Sequence, residues 1–334
     1  MIVDGHLDLA MNAALGRDLT LPLAELRDLE GPVGDQEALV TFPALRSAGV
    51  AACFATLFAW PASSGMPGGY ETAQEARRMA LAQLDQYARW EEAGLVRVLR
   101  TADDARAHFA RWSAERDVAS PLGVVLLMEG ADPVRDPNEV EFWAREGVRV
   151  IGPAWGRTRY AGGTDAPGPL TDAGVDLLHA MREARVALDA AHLDDASFWG
   201  AVDLHPTVIC THANARAFVR TNRQLTEDMA ARVAASGGVI GLVPFGKFLR
   251  EGWTSAQPRV PVSDLVRVAA HFAGVVGWAH VALGTDFDGG FGRPTLPRGI
   301  DSHADLGAFL EGVPDEFREG VASGHWRAWM EAHL

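Results

Sequence analysis

Lysine is almost absent from this chain of 334 residues: Lys247 is the only one, and arginine supplies nearly all of the positive charge. Reaction mechanisms that need a lysine, such as Schiff-base formation or a carbamylated metal bridge, therefore depend on a single residue. The sequence also contains no G-x-x-x-x-G-K-[ST] loop, the motif that cradles nucleotide phosphates. These absences exclude P-loop nucleotide chemistry.

Cysteine is nearly as scarce, since only Cys53 and Cys210 occur. Two cysteines are too few for a disulfide framework, and their separation is not that of a zinc-binding pair. Each lies in an apolar stretch, at residues 50–58 and 207–211. We therefore predict two buried thiols without a metal or redox role.

A surplus of positive charge and a long apolar run are missing as well. Lys and Arg number 30 against 44 Asp and Glu, a net charge of −14, whereas nucleic-acid binding needs positive charge. No apolar run approaches the roughly 20 residues that cross a bilayer. The first six residues have neither the basic nor the apolar region of a signal peptide. We expect a cytoplasmic protein that binds neither nucleic acid nor membranes.

The residues that are present form a regular alternation of short apolar runs and helix-length amphipathic segments. The apolar runs are residues 2–9, 50–60, 123–128, 148–155, 186–192, 207–212, 238–245 and 280–286, and the helical candidates are 71–93, 103–114, 172–184, 226–235 and 262–276. Continuous apolar runs are typical of parallel strands that are buried on both faces. About eight such units predict a single (β/α)₈ TIM-type barrel domain over residues 1–334, with a C-terminal helical extension at 313–334. An open doubly wound sheet is the alternative, but no G-x-G-x-x-G follows the first run.

Residues able to bind metals or move protons stand at the ends of these runs. They are His6, Asp8, Glu129, His192, His212 and Asp286. A parallel barrel gathers the carboxyl ends of its strands on one face, where its active sites form. Imidazoles and carboxylates together suit two divalent ions that share one carboxylate.

Each of these residues also has an ordinary structural explanation. A lone strand histidine such as His192 or His212 is more often a hydrogen-bonded core group, and Glu129 could cap a helix or form a salt bridge. Asp286 could form an Asx turn. Their joint position at strand ends is what favours a metal site.

Five segments resemble, in order, the signatures of the renal (membrane) dipeptidase family of the metal-dependent amidohydrolase superfamily. They are residues 4–9 (DGHLDL), 128–130 (MEG), 188–192 (LDAAH), 211–216 (THANAR) and 284–289 (GTDFDG). The resemblance implies a dipeptidase, sometimes tolerant of a D-residue at the C-terminal position, and a possible homodimer. It also implies two zinc ions, one held by His6 and Asp8, the other by His192 and His212, with Glu129 bridging them.

The resemblance further assigns proton transfer to Asp286 and a substrate contact to Arg223. The chemistry agrees, because a metal lowers the pKa of bound water from about 15.7 towards 7, which supplies a hydroxide between the ions. Asp286 would accept the proton of that water and return it to the departing amine. Arg223 would pair with the dipeptide carboxylate.

One position departs from the family pattern. Trp155 stands where these dipeptidases carry a histidine that helps to hold the substrate carbonyl, and an indole N–H cannot become a cation. Arg157, Arg159 or Tyr160 could supply a substitute, so Trp155 and Tyr160 join Arg223 as predicted substrate contacts. The resemblance therefore supports the assignment of the metal site more strongly than the assignment of the substrate.

Two alternatives stay open on the sequence alone. Another amidohydrolase, such as a lactonase, a cyclic-amide hydrolase or a deaminase, would often use a carbamylated lysine, here Lys247, as the bridge. A catalytically idle barrel, which binds or assembles without turnover, is favoured only by Trp155.

Overall fold

The computed structural model describes residues 1–31, 33–114 and 120–334, which contain nine β-strands. The strands are β1 (Ile2–Leu7), β2 (Val50–Phe58), β3 (Val96–Val98), β4 (Leu122–Glu129), β5 (Val148–Gly152), β6 (Ala187–Asp189), β7 (Val208–Ile209), β8 (Ile240–Leu242) and β9 (Val281–Leu283). Every residue of β1, β2 and β4 is buried, as expected for strands covered on both faces. Each of the eight predicted runs corresponds to one strand, whereas the three-residue β3 was not predicted.

The strands pair in parallel and close into a barrel. The order β1-β2-β4-β5-β6-β7 forms one sheet, β8 pairs with β9, and β3 pairs with the first residues of β4. A parallel bridge between Cys210 and Ile240 joins β7 to β8. On the other side, the Asp286 N–H donates to the His6 carbonyl at 3.2 Å, which connects the end of β9 to β1. The predicted (β/α)₈ barrel is confirmed.

Fourteen α-helices lie in the described residues, several of them between consecutive strands. They are α1 (Leu9–Ala14), α2 (Leu23–Glu30), α3 (Phe42–Ser47), α4 (Ala73–Glu92), α5 (Ala102–Ala114), α6 (Val140–Arg145), α7 (Asp172–Glu183), α8 (Asp195–Val202), α9 (Glu227–Ala235), α10 (Gly246–Leu249), α11 (Val262–Val276), α12 (Gly307–Leu310), α13 (Asp315–Glu319) and α14 (His325–His333). Hydroxyl caps begin two of the predicted helices: Thr171 accepts from the Gly174 N–H at the start of α7, and Thr226 accepts from the Met229 N–H at the start of α9. All five predicted helices are present within two residues of their predicted bounds.

The C-terminal extension fills the barrel from the end opposite the predicted site. Val3, Phe54 and Val125, from three different strands, share one buried cluster with Trp326 of α14. The indole N–H of Trp326 donates to the Leu283 carbonyl at 2.7 Å. The interior of the barrel is therefore a packed core, as is usual for this fold, in which ligands bind at the carboxyl ends of the strands.

Two further expectations concern thiols and membranes. Cys53 and Cys210 are both free and fully buried, as predicted. Within the described ranges, no helix combines the length and apolar character that crossing a membrane requires.

Candidate metal centre and substrate cavity

Strand alternation places Glu129 at the top of the barrel interior. Side chains two residues apart point to the same face of a strand, so Val125, Leu127 and Glu129 of β4 all face inward. Val125 and Leu127 belong to the interior cluster, and the Glu129 carboxylate is the next layer above them. Glu129 is only 5% exposed, so its charge needs polar or cationic neighbours.

Three imidazoles converge on the two oxygens of this carboxylate. His6 Nε2 lies 3.4 Å from Glu129 Oε2, while His192 Nε2 and His212 Nε2 lie 3.2 and 3.5 Å from Oε1. The two Nε2 atoms of His192 and His212 are 3.0 Å apart. On the other side, Asp8 Oδ1 lies 3.9 Å from His6 Nε2. Glu129 is thus shared by two groups of possible ligands, one with His6 and Asp8, the other with His192 and His212.

Asp286 completes the set of six residues that the sequence placed at strand ends. Its carboxylate forms a third possible ligand group with His6 and His212, and it also lines the cavity above them. The backbone of Asp286 has φ = 55° and that of His192 has φ = 65°, a conformation that non-glycine residues rarely adopt. A Cβ at Gly289 would lie 1.8 Å from Asp286 Oδ1, so any other residue at this position would displace the carboxylate.

The pKa values of the residues in this cluster are shifted by burial and by the neighbouring carboxylates. Burial lowers the pKa of His6, but the neighbouring carboxylates of Glu129, Asp8 and Asp286 together outweigh this effect and raise the pKa to about 10. Burial, then the Glu129 charge, raises the pKa of Asp8 to about 7. Burial also raises the pKa of Asp286 well above its ordinary value and lowers that of His192 to about 4. Cations bound among these groups would relieve the cost of burying the carboxylates.

Hydroxyl groups hold the other ring nitrogens of the histidines. Thr211 Oγ1 lies 3.2 Å from His6 Nδ1 and 2.9 Å from His212 Nδ1, and Thr164 Oγ1 lies 2.8 Å from His192 Nδ1. All three Nε2 atoms are therefore directed towards Glu129. That arrangement is typical of histidine metal ligands, whose second nitrogen is hydrogen-bonded.

The sequence reasoning missed the residues that support this cluster from behind. Asp4 is fully buried and accepts hydrogen bonds from the Thr285 N–H at 2.8 Å and from His303 Nε2 at 2.7 Å. Asp4 stands two residues before His6 on β1, so strand alternation could have indicated it. His303 lies 299 positions away along the chain, and no sequence pattern pointed to it.

A cavity of about 610 Å³ opens above the cluster. Its lining includes Asp8, Glu129, His192, Asp286, Arg223 and a set of apolar side chains, among them Phe58, Met66, Trp155, Phe245, Phe248 and Phe291. Arg223 is 5% exposed, and none of its three guanidinium nitrogens has a hydrogen-bond partner within the described protein. Its guanidinium lies 5.2 Å from the centre of the Phe248 ring. A buried cation whose N–H donors have no acceptor marks a place for a negatively charged ligand group.

Of the other two predicted substrate contacts, Trp155 lines the cavity and Tyr160 does not. Trp155 lines the cavity, three residues after the end of β5, and its ring centre lies 6.1 Å from that of His192. Arg157 also lines the cavity. Tyr160, in contrast, is not part of this lining, because its hydroxyl donates to the Val134 carbonyl. The predicted substrate contact of Tyr160 is therefore not supported.

Arg159, the remaining possible substitute for the missing histidine, is engaged elsewhere. Arg159 donates to Asp132 Oδ1 at 3.3 Å and to the Val134 carbonyl at 2.7 Å. Lys247, the candidate for a carbamylated bridge, lies on α10 with its ammonium 5.9 Å from the Phe245 ring centre. Lys247 is not among the described residues that line the cavity above the cluster.

Comparison with known proteins places this chain in a family. The model of a family described as membrane dipeptidase (peptidase family M19) matches residues 1–312. A protein described as an uncharacterized protein in the pqqA 5′ region of Klebsiella pneumoniae is 30% identical over 230 residues, which cover 63% of this chain and 80% of that protein. An uncharacterized dipeptidase of Schizosaccharomyces pombe is 27% identical over 129 residues, 38% of this chain and 30% of that protein.

Solved structures agree on the fold. A metallopeptidase described as dipeptidase AC superposes with a TM-score of 0.82 at 24% identity, covering 99% of this chain and 98% of the other. A metallopeptidase from Rhodobacter sphaeroides, liganded with a phosphinate mimic of the dipeptide L-Ala-D-Ala, has a TM-score of 0.80 at 23% identity, covering 100% of this chain and 99% of the other. At these identities the structural likeness establishes the barrel architecture.

Proposed function

This chain belongs to the membrane dipeptidase family, peptidase family M19, and from that membership we propose that it hydrolyses dipeptides with two zinc ions that share Glu129. Family membership makes the protein a metal-dependent dipeptidase. The finer parts of the proposal are the number of ions, their identity, the roles of the six clustered residues and the stereochemistry of the substrate. One observation carries it: three imidazoles meet the two oxygens of one buried carboxylate beside an unpaired arginine.

The residues present fit two divalent cations. His6, Asp8 and one oxygen of Glu129 would hold the first ion, and His192, His212 and the other oxygen would hold the second. His6 Nε2 is buried and has no hydrogen-bond partner, as expected of a nitrogen that serves a metal. Imidazole and carboxylate ligands suit zinc. When bound, such ions supply a water acidic enough to attack at neutral pH and polarise the scissile carbonyl.

Asp286 is positioned to carry the proton of the reaction. Its burial and the neighbouring carboxylates raise its pKa well above that of a free aspartate, so it binds a proton more readily. We assign to it the transfer of a proton from the attacking water to the nitrogen of the departing amine. General acid–base transfer of this kind contributes about 10² to 10⁴ in rate.

We assign to Arg223 the binding of the substrate carboxylate. The guanidinium presents parallel N–H donors that match the two oxygens of a carboxylate. A dipeptide whose scissile carbonyl faces Glu129 and Asp286 would lie in the same cavity as this group. We extend the proposal to C-terminal D-residues, as implied by the sequence resemblance. The Rhodobacter sphaeroides relative binds a mimic of L-Ala-D-Ala.

Metal analysis and a dipeptide panel test the proposal together. We expect about two zinc ions per chain and turnover of L-Xaa-L-Xaa or L-Xaa-D-Xaa dipeptides. The Asp286→Asn variant should keep its metal but lose at least about 100-fold in kcat. Fewer than two bound ions per chain, or full activity of Asp286→Asn, would refute the assigned roles.

Trp155 favours a second candidate function within the same superfamily. With an indole in place of the family histidine, the cavity is more apolar and has one fewer titratable donor beside His192. A different small amide or a lactone would then be the preferred substrate. The same panel, extended to cyclic amides and lactones, separates the cases by their kcat/KM values. An idle barrel would turn over none of them even with added zinc.

Two further predictions come from the sequence and its resemblance. We propose a homodimer in solution, which light scattering after size-exclusion chromatography would measure. We also propose that the protein acts in the cytoplasm, which cell fractionation would test.

A further inference from the structure

Thr211 occupies an unusually confined place directly after β7. Its carbonyl oxygen lies where a Cβ on Gly5, Gly241 or Gly284 would approach within 1.9 to 2.5 Å. These three glycines lie in β1, in β8 and directly after β9, so three strands pack closely against the Thr211 carbonyl group. The backbone of Thr211 is therefore held rigidly, and the position of its hydroxyl is set accordingly.

The hydroxyl of Thr211 has three polar neighbours and only one proton. Asp189 Oδ2 lies 2.5 Å from Thr211 Oγ1, and a carboxylate oxygen can only accept. The hydroxyl therefore donates to Asp189 and is left with lone pairs for its other two neighbours. These are His6 Nδ1 at 3.2 Å and His212 Nδ1 at 2.9 Å, which must both donate.

Asp189 is itself held in place to accept this proton. It is 2% exposed, and its Oδ1 accepts from the backbone N–H groups of Thr211 and Ala191, each at 3.0 Å. Oδ2 remains free to take the hydroxyl. The direction of the Thr211 O–H bond thus follows from buried backbone geometry.

We propose that Thr211, oriented by Asp189, is a positioning residue that fixes the Nδ1–H tautomer of both His6 and His212. This inference rests on the proposed function, in which these two histidines serve different ions. Each Nε2 then presents its lone pair towards Glu129, so a single hydroxyl prepares one ligand for each ion. Loss of the hydroxyl would affect both ions together.

Thr164 provides the internal comparison. Its Oγ1 lies 2.8 Å from His192 Nδ1, and His192 serves only the second of the proposed ions. Thr164 lies in the loop after β5 and lines the cavity, whereas Thr211 is fully buried. Removing the Thr164 hydroxyl should therefore weaken the binding of one ion and leave the affinity for the other unchanged.

The test compares zinc binding by Thr211→Val, Thr211→Ser and Thr164→Val in competition with a chromophoric chelator. Valine keeps the shape of threonine, and serine keeps the hydroxyl. We expect Thr211→Val to bind both zinc ions more weakly, with each dissociation constant raised by about 10- to 100-fold. Thr211→Ser should retain wild-type constants, and Thr164→Val should change only one of the two.

A second measurement does not depend on the folding of any variant. In the zinc-loaded wild-type protein, ¹⁵N NMR of labelled histidines should show the proton of His6 and His212 on Nδ1. An Nε2–H tautomer at either residue would overturn the inference, as would wild-type zinc binding by Thr211→Val or loss of only one ion from it. If the wild-type protein itself binds fewer than two ions, the proposed function fails instead.

Discussion

At the scale of single residues, buried charged groups occur in two settings, one with hydrogen-bonding or charged partners nearby and one without a hydrogen-bond partner. The cluster around Glu129 combines carboxylates with imidazoles at distances of 3.2 to 3.9 Å, so its members have one another as partners. The guanidinium of Arg223 has no hydrogen-bond partner among the described residues, although it is almost fully buried. Burying an unpaired cation costs stability, and a protein tolerates that cost where a ligand later supplies the anion.

We predict that Arg223→Met impairs turnover of dipeptides that have a free carboxylate. Losing a buried charge partner costs about 2 kcal/mol or more, which corresponds to roughly a 30-fold lower kcat/KM. C-terminally amidated dipeptides should be affected much less, because they offer no carboxylate to the arginine. Steady-state kinetics on the matched pair of substrates measures the difference.

Arg216→Met serves as the control for this variant. Arg216 pairs with Asp195 at 2.6 Å and does not line the cavity. Its replacement should leave the preference for free carboxylates intact. Equal losses on both kinds of substrate in Arg223→Met would argue for a general structural effect.

At the scale of secondary-structure elements, the barrel depends on glycines where strands approach closely. A Cβ at Gly241 of β8 would lie 1.9 Å from the Thr211 carbonyl oxygen and 2.8 Å from the Gly284 Cα. Both neighbours are backbone atoms, so neither can move away without shifting a strand. The same contact holds the hydroxyl of Thr211 in position beside His6 and His212.

We therefore expect Gly241→Ala to lower the free energy of unfolding by about 1 to 3 kcal/mol, as overpacking of a core does. Urea denaturation would show this as a lower midpoint. Gly274→Ala on the exposed face of α11 is the control, because a Cβ there meets no atom within 4 Å. It should raise stability slightly, by up to about 1 kcal/mol. Equal midpoints for both variants would mean that the strands can separate without cost.

The contact between α5 and the barrel strands contains a titratable group. His108 Nε2 donates to the Ala51 carbonyl at 2.9 Å, and burial lowers the pKa of this histidine below 6.5. The unfolded chain therefore binds a proton before the folded protein does as pH falls. Stability is lost from about pH 6.5 downwards to the lowered pKa of the folded state.

Replacing His108 with glutamine should make the fall of stability with decreasing pH shallower. The amide N–H₂ can still donate to Ala51, but it does not titrate. One proton corresponds to at most about 1.4 kcal/mol per pH unit in the slope. Unfolding free energies of both proteins between pH 7 and 5 measure the difference. Parallel curves would show that His108 is protonated equally in both states.

At the scale of the whole molecule, the site joins segments from nearly the full length of the chain. His6 comes from the first strand and Asp286 from the end of the last, and the His6 carbonyl accepts from the Asp286 N–H at 3.2 Å. Ions bound at this closure would link the first and last strands of the barrel. Their binding is thus coupled to the folding of the entire domain.

Removal of the ions should accordingly lower the melting temperature of the wild-type protein. A ligand that binds only the folded state at 100 times its Kd adds about 2.7 kcal/mol of stability. We expect a chelator to lower Tm by several degrees and added zinc to restore it in calorimetry. The Glu129→Gln variant, which lacks the shared carboxylate, should respond much less. A Tm unchanged by complete removal of metal would contradict the proposed centre.

Much of the site could be predicted because parallel strands bring their carboxyl ends to one place. Glu129 follows an unbroken apolar run, and His6 and Asp8 lie two positions apart near the end of another, so position alone grouped them. Tyr160 was a different case, because a loop residue has no strand to define its direction. Its hydroxyl turned out to bind the Val134 carbonyl, away from the cavity.

The order of short buried runs was thus enough to determine the barrel and the face on which its polar residues gather, since these follow from local periodicity. Only the folded structure decided which hydroxyls and carboxylates stand behind them, as with Asp4 and His303 or Thr211 and Asp189. Those pairs join segments 22 to 299 residues apart. Hydrogen bonds over such separations depend on how strands and loops pack in three dimensions, and no repeating pattern along the chain records that packing.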